Sequence, residues 1–252
     1  MNTLLKAASI TIGYGRKPLL QDLSFELFRG ELVSLIGVNG SGKSTLLRTI
    51  AALHPTLAGT MEIDGRTVGV MRAAERARMI SVVLTGRPAT GLLDVSTLIS
   101  LGRQPWTDHL GRLGAADRQK IDEAMEATGT AQFAQRSVAA LSDGELQKVL
   151  IARALAQDTP LMLLDEPTAF LDLVNRVQIM RLLREIVHSS GKTALISTHD
   201  LQTAIAISDR LMILDQGRVW IGTVKAAIDE KILESAFAQA GMKFDPVTMS
   251  FV

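Results

Sequence analysis

The stretch "GVNGSGKS", Gly37 to Ser44, narrows the possible folds of this chain more than any other. It fits G-x-x-x-x-G-K-[S/T], follows the apolar "ELVSLI" and precedes the helix-like "TLLRTIAAL". A loop that cradles phosphate needs that strand–loop–helix setting. Glycines at 37, 40 and 42 permit backbone turns that a side chain would block. Backbone N–H groups can then converge on phosphate oxygens at a helix N-terminus. Lys43 would reach the β- and γ-phosphates, and the Ser44 hydroxyl would ligate Mg²⁺. The competing reading is a glycine-rich turn with a surface lysine, and the flanking strand and helix argue against it.

A nucleotide loop of this kind belongs at the carboxyl end of a parallel sheet, so the other strand ends carry the next information. "LMLLDEP" places Asp165 and Glu166 at the end of a short apolar run. Asp165 could hold Mg²⁺ directly or through water, and Glu166 would be the base or positioner for an attacking water. Pro167 ends the strand because it cannot donate to a ladder. "ALIST" ends just before His199, which would occupy another strand end within reach of a γ-phosphate. Tyr14, the single tyrosine, precedes Gly15, and its ring could stack on adenine or simply pack.

The remaining pattern reads as one α/β unit. "KAASITIGYG" and "LQDLSFELFRGELVSLIG" are strand-like, and "GTMEIDG" reads as a hairpin arm closing on Asp64-Gly65. "MISVVL", "KTALISTHD" and "RLMILDQGRVWIG" add strands, the last turning at Gln216-Gly217. Ile121, Ala124 and Met125 mark one helix stopped by Gly129. Ile179, Leu182, Leu183 and Ile186 mark another ended by Gly191. Residues 86–157 are helical in pattern, which suggests a helical insertion in an α/β core. The tail from Val224 reads as a terminal helix and strand packed on the core.

Composition excludes several classes. Of 252 residues, 47% are hydrophobic and 21% charged, enough for a sizeable core. A net charge of +1 gives no reason to expect nucleic-acid binding. The absence of cysteine excludes disulfides and cysteine-based chemistry. No apolar run approaches the roughly 20 residues that span a bilayer, and "MNTLLKAASI" lacks a signal-peptide core. Work at a membrane would need a partner.

Taken in order, "GYG", "GVNGSGKS", "LSDGE" (141–145), "LMLLDEP", "AFLD" (169–172) and "STHD" (197–200) resemble one family, the ATP-binding subunits of ABC transporters. The resemblance runs to about residue 225. It implies a P-loop NTPase fold of the ABC ATPase type with an antiparallel β arm and an inserted helical subdomain. The chain would be one ATP-binding domain over 1–252: core about 1–85 and 158–225, helical subdomain about 86–157, tail about 226–252. It also implies a head-to-tail dimer with two ATP molecules sandwiched between copies.

By position, Tyr14 becomes the adenine-stacking residue. Gly37, Asn39, Gly40, Ser41, Gly42, Lys43, Ser44 and Thr45 form the nucleotide loop, with Ser44 and Asp165 at Mg²⁺. Glu166 becomes the catalytic base and His199 the γ-phosphate switch. Ser142 and Gly144 would contact the γ-phosphate of ATP held by the other copy, and Asp172 would link the two sites across the interface.

The segments "LISLGRQPW" (98–106) and "HLGRLGAADRQKIDEAME" resemble the subset that powers importers of iron-siderophores, haem and cobalamin. The implied partners are transmembrane permease subunits and, through them, a periplasmic or extracellular substrate-binding protein. The implied location is the cytoplasmic face of the inner or plasma membrane, peripherally. The alternative is a soluble ABC-type ATPase acting on ribosomes or nucleic acid; single-cassette length and the lack of sustained heptads weigh against it. A P-loop small-molecule kinase would not need the "LSDGE" and "STHD" segments.

Two positions depart from the family pattern. Gln usually follows the strand ending here as "VVL", where it reaches Mg²⁺; Thr85 stands there, with a shorter reach that a water could bridge. "LSDGE" replaces the favoured Leu-Ser-Gly-Gly-Gln. Ser142 and Glu145 fit a capping box, so Glu145 keeps the local role of Gln. Asp143 suits the positive helix end but opposes an incoming phosphate. Unless its side chain points away, Asp143→Gly should tighten ATP-driven closure, and closure should be salt-sensitive.

Overall fold

The structure, a computed structural model, describes residues 2–88, 91–238, 244–245 and 250–251. An antiparallel hairpin opens it. β1 (Thr3–Tyr14) pairs with β2 (Lys17–Phe28), closing with Tyr14 opposite Lys17. β3 (Leu32–Ile36) then leads into α1 (Lys43–Ile50). β4 (Ala58–Ile63) and β5 (Arg66–Thr67) form the short hairpin arm. Its turn residues Asp64 and Gly65 both take positive φ, the conformation a two-residue hairpin needs. These strands make one antiparallel sheet in the order β2-β1-β4-β5.

The second sheet is mostly parallel. Between β5 and β6 (Ile80–Val83) lies α2 (Ala73–Ala77), a short helix that the apolar pattern does not announce because none of its residues is buried. α3 (Val95–Ser100), α4 (Ala115–Ala127) and α5 (Asp143–Ala156) follow. β7 (Leu161–Asp165), α6 (Leu173–Ser190), β8 (Thr193–Ser197), α7 (Leu201–Ile207), β9 (Arg210–Asp215) and β10 (Arg218–Thr223) complete the alternation. The sheet order is β10-β9-β3-β8-β7-β6, with only β10 antiparallel to its neighbour. The β9–β10 turn falls at Gln216-Gly217, and α4 and α6 stop at Gly129 and Gly191, all with positive φ, as the sequence pattern predicts.

The apolar strands are buried on both faces, which explains their unbroken runs. In β7, Leu161 and Leu163 join the cluster under the antiparallel sheet, while Met162 and Leu164 join the cluster with α3–α6. A third cluster gathers Ile36 and β9 under α7 and the tail. The tail contains two short helices, α8 (Val224–Asp229) and α9 (Ile232–Ala238), where one was expected, broken at Lys231 with φ 55°. β11 (Phe244–Asp245) and β12 (Ser250–Phe251) pair beyond them, and Phe244 is buried in the third cluster.

A polar cluster after α3 ties the helical insertion together and to the core. After α3 a tight turn over 101–106 brings Arg103 to Asp117 at 2.9 Å and to the Ala156 carbonyl at 2.8 Å. Trp106 donates its indole N–H to the Gln157 carbonyl and lies between Arg78 and Arg103, 4.9 and 5.2 Å from its ring. Gly102 makes this approach possible: a Cβ there would sit 2.2 Å from the Arg153 carbonyl oxygen. Gly102→Ala should therefore cost about 1–3 kcal/mol through forced displacement, seen as a lower denaturant midpoint.

Candidate functional site

Sheet order decides which loops meet. Leu35 on β3 and Asp165 on β7 both pair with Ser197 on β8, and Val83 on β6 pairs with Leu164. The segments leaving these four strands therefore emerge side by side at the carboxyl edge of the sheet, where α/β sheets bind ligands.

The loop after β3 wraps the start of α1. A Cβ on Gly37 would lie 2.6 Å from the Leu214 carbonyl oxygen, and Gly42 caps α1 with φ 99°. Lys43 is buried, and its ammonium donates to the Gly37 and Val38 carbonyls at 2.8 and 3.2 Å. Burial pulls the Lys43 pKa down, and the carboxylates of Glu166 and Asp165 oppose that shift. Asn39 and Gly40 form the exposed crown of the loop. The Ser41 hydroxyl is buried with no hydrogen-bond partner among the described residues. An unpaired polar atom inside a loop of this shape fits a phosphate oxygen.

Asp165 is the meeting point of three elements. Its Oδ1 accepts from the Ser44 hydroxyl at 2.9 Å and from the Ser197 hydroxyl at 2.7 Å. The Ser197 oxygen in turn accepts the Glu166 N–H at 2.9 Å. This chain of bonds holds Glu166 at φ 46°, a left-handed conformation that a glutamate adopts only when its surroundings impose it. Ser44 and Asp165 are hard oxygen donors suited to Mg²⁺. No group of three His, Cys, Asp or Glu side chains able to hold a metal occurs among the described residues. A cation here would thus draw its remaining ligands from substrate phosphates and water.

Glu166 and His199 stand together, with Oε2 and Nδ1 3.6 Å apart. Beyond His199, Asp200 caps α7 through the Thr203 N–H and pairs with Arg176 at 3.3 Å. The Thr85 hydroxyl is already engaged as a donor. It donates to the Asp165 carbonyl at 2.9 Å and ties the loop after β6 to the strand end of Glu166. Tyr14 flanks the phosphate loop, half exposed, with its hydroxyl 3.1 Å from Thr45 Oγ1. His54, which no sequence signal marks, packs its ring 4.9 Å from the Tyr14 ring and bonds the Gly13 carbonyl.

The "LSDGE" segment starts α5 as a capping box. The Ser142 hydroxyl accepts the Glu145 N–H at 3.3 Å, and Glu145 Oε2 accepts the Ser142 N–H at 2.9 Å. The Ser142 N–H, followed by Arg136, holds the Glu145 carboxyl below the usual range. Asp143, whose direction the sequence left open, is paired: Arg87 Nη2 meets its Oδ1 at 2.8 Å. Gly144 is buried against α6, where a Cβ would sit 2.9 Å from Asn175 Oδ1. Asp172 caps α6 through the Asn175 N–H and also accepts from the Asn175 side chain at 2.7 Å. A cavity of about 310 Å³ separates the start of α5 from the end of β7; Thr85, Arg87, Asp143, Gln147, Glu166 and Phe170 are among its walls. Lys43, Ser44, Asp165, Glu166 and His199 thus converge on one edge, while Ser142 is exposed on the helical insertion.

Residues 20–169 match the family model described as ABC transporter. The chain is 37% identical over 250 residues to an iron(3+)-hydroxamate import ATP-binding protein of Bacillus subtilis, covering 98% of this chain and 93% of the relative. It is 36% identical over 232 residues to a cobalamin import ATP-binding protein of Halobacterium salinarum, covering 91% of this chain and 58% of the relative. Among solved structures it is similar to cbiO1 of Clostridium perfringens, part of the ABC transporter complex cbiONQ. The TM-score is 0.80 at 26% identity, over 95% of this chain and 96% of that one. It is also similar to a dimeric post-hydrolysis ATP-binding cassette bound to ADP and Pi. There the TM-score is 0.71 at 28% identity, over 88% and 99% of the chains.

The bonds around Asp165 single out Ser197. Ser197→Ala removes a donor to Asp165 and an acceptor for the Glu166 N–H, which should cost about 1–2 kcal/mol of stability. The ATP turnover number should fall while KM moves little, because the Lys43 loop is untouched. Steady-state kinetics alongside thermal melts check both parts.

Proposed function

This chain belongs to the ABC transporter ATP-binding family and is an ATP hydrolase, and from that premise we propose that it powers an importer of metal chelates. The cargo class is that of iron-siderophores, haem or cobalamin. The convergence of Lys43, Asp165, Glu166 and His199 at adjacent strand ends supports ATP hydrolysis most directly, and the import reading draws on the relatives named for hydroxamate and cobalamin import. The relatives named for hydroxamate and cobalamin import are almost equally similar to this chain. What they share with it is therefore the motor, and the permease and binding protein would select the cargo.

In this reading ATP lies along the loop over 37–45, with its base against Tyr14. Lys43 leaves the loop carbonyls to meet the β- and γ-phosphates. Ser44 and Asp165 would hold Mg²⁺, which would supply positive charge against the phosphate oxygens. Glu166 takes a proton from the attacking water as the γ-phosphoryl bond to the β-phosphate oxygen breaks, yielding ADP and phosphate. His199, 3.6 Å from Glu166, holds that carboxylate and the γ-phosphate in line. The fixed backbone at Glu166 supplies preorganisation: the base does not have to be ordered at the moment of reaction.

The second half of the site comes from another copy. Ser142 and the N-terminal N–H groups of α5 would meet the γ-phosphate across a head-to-tail dimer. Residues 86–157 would act as the helical subdomain that receives the permease, and core and tail would form the remainder. No helix among the described residues is long and apolar enough to cross a membrane, so attachment at the cytoplasmic face would come through the permease. That partner would in turn work with an external binding protein.

Glu166→Gln should keep ATP binding and reduce turnover at least a hundredfold; a single-turnover assay showing wild-type hydrolysis would remove Glu166 from the base role. Thr85→Gln should leave the melting temperature within a few degrees and change how strongly the permease stimulates hydrolysis. Unaltered stimulation would make position 85 incidental. Copurification with membrane subunits, followed by chelate uptake into proteoliposomes, tests the importer reading. Recovery on ribosomes or DNA with no membrane partner would favour the soluble alternative.

A further inference from the structure

The first turn of α5 carries two acids, and each is met by an arginine from a different segment. Arg136, ahead of α5, donates to Glu145 Oε1 at 2.8 Å and to the Ala140 carbonyl at 3.0 Å. Arg87, in the loop after β6, donates through Nε and Nη2 to Asp143 Oδ1 at 3.1 and 2.8 Å. Its Nη2 also reaches the Leu141 carbonyl at 3.1 Å. The two pairs differ in purpose. Glu145 is spent in the capping box with Ser142. No capping bond of Asp143 occurs among the described residues; its local role is the general one of an acid in the first turn of a helix.

An acid at this position stands next to Ser142, on the end of the helix that would face a triphosphate. A bare carboxylate there would repel the phosphate over roughly a Debye length, about 8–10 Å at ordinary salt. Paired with a guanidinium, the same carboxylate presents only a dipole, whose potential falls off far faster. The pair does little for folding, since its side chains are 52% and 53% exposed. Its consequence is therefore electrostatic and local to the site.

We infer that Arg87 is a positioning residue for ATP-driven closure: it is the counter-charge that allows this chain to carry an acid in its phosphate-facing segment. The inference rests on the ATP-sandwich reading above. It also transfers the expected effect from Asp143 to Arg87. Removing the acid alone leaves the Arg87 cation, which favours an approaching phosphate, whereas removing Arg87 uncovers the acid. Thr85 anchors the same loop to the Asp165 carbonyl, so the counter-charge is held in place from the catalytic strand end.

The test uses the full chain carrying Glu166→Gln, with the ATP concentration for half-maximal dimerisation read by sedimentation at low and high NaCl. Arg87→Gln should raise that concentration about three- to fivefold at low salt, and the gap should shrink as salt screens the uncovered acid. Arg87→Gln combined with Asp143→Asn should return to within about twofold of the parent, and Asp143→Asn alone should match or better it. An equal loss from Arg87→Gln with and without Asp143 overturns the inference, because Arg87 would then act on something else. If the Glu166→Gln parent itself does not dimerise with ATP, the sandwich reading fails and takes the inference with it. Melting temperatures of all variants should agree, since the pair is exposed.

Discussion

The carboxylate of Asp165 is the joint on which the rest of the site hangs. One oxygen accepts hydroxyls from Ser44, at the start of α1, and from Ser197, at the end of β8. A third element enters through the backbone, because the Asp165 carbonyl accepts Thr85 from the loop after β6. The Lys43 loop, the end of β7 and the loop toward the helical insertion are therefore mutually registered by short polar bonds. Asp165 is nearly fully buried, with 4% of its surface accessible. Buried polar groups are held tightly because losing a partner leaves a desolvated atom behind. Rigidity at this point is what lets the strained Glu166 backbone persist.

A second constraint acts at the start of α5. That helix must satisfy its own orphan N–H groups, pack against α3, α4 and α6, and still leave one end open to a ligand. The capping box answers the first demand, and the buried Leu146, Val149 and Leu150 answer the second. Close packing of Gly144 against Asn175 adds a link to the cap of α6, where Asp172 holds Asn175. The segments "LSDGE" and "AFLD" thus touch through one side chain within a single copy. In the proposed ATP sandwich the Arg87 pair would ease the remaining conflict, between an acid that suits a helix dipole and a phosphate that does not suit it.

Much of this was legible from residues alone. Continuous apolar runs such as "LMLLD" reveal strands buried on both faces, and Gly129, Gly191 and the Asp64-Gly65 turn reveal where elements stop. The phosphate loop is readable because a lysine and three glycines at fixed spacing have few other uses. α2 escaped notice because no buried face marks it, and the split of the tail into two helices depends on a local turn at Lys231. The bond made by Thr85 was illegible for a related reason. Its hydroxyl donates to the Asp165 carbonyl, and that partner is 80 residues away in the chain.

The sequence by itself determined the elements, their order and the chemical types placed at their ends, because those follow from period, turn residues and spacing within short windows. Only the tertiary structure decided that Ser197 would hold Glu166, that His54 would back Tyr14 and that Arg87 and Arg136 would neutralise the two acids of α5. Each of those contacts joins residues from separate segments, and only the strand order β3-β8-β7-β6 and the packing of the helical insertion bring them within bonding distance. A charge in a sequence has a sign. Whether it acts on a ligand depends on the counter-charge that folding places beside it.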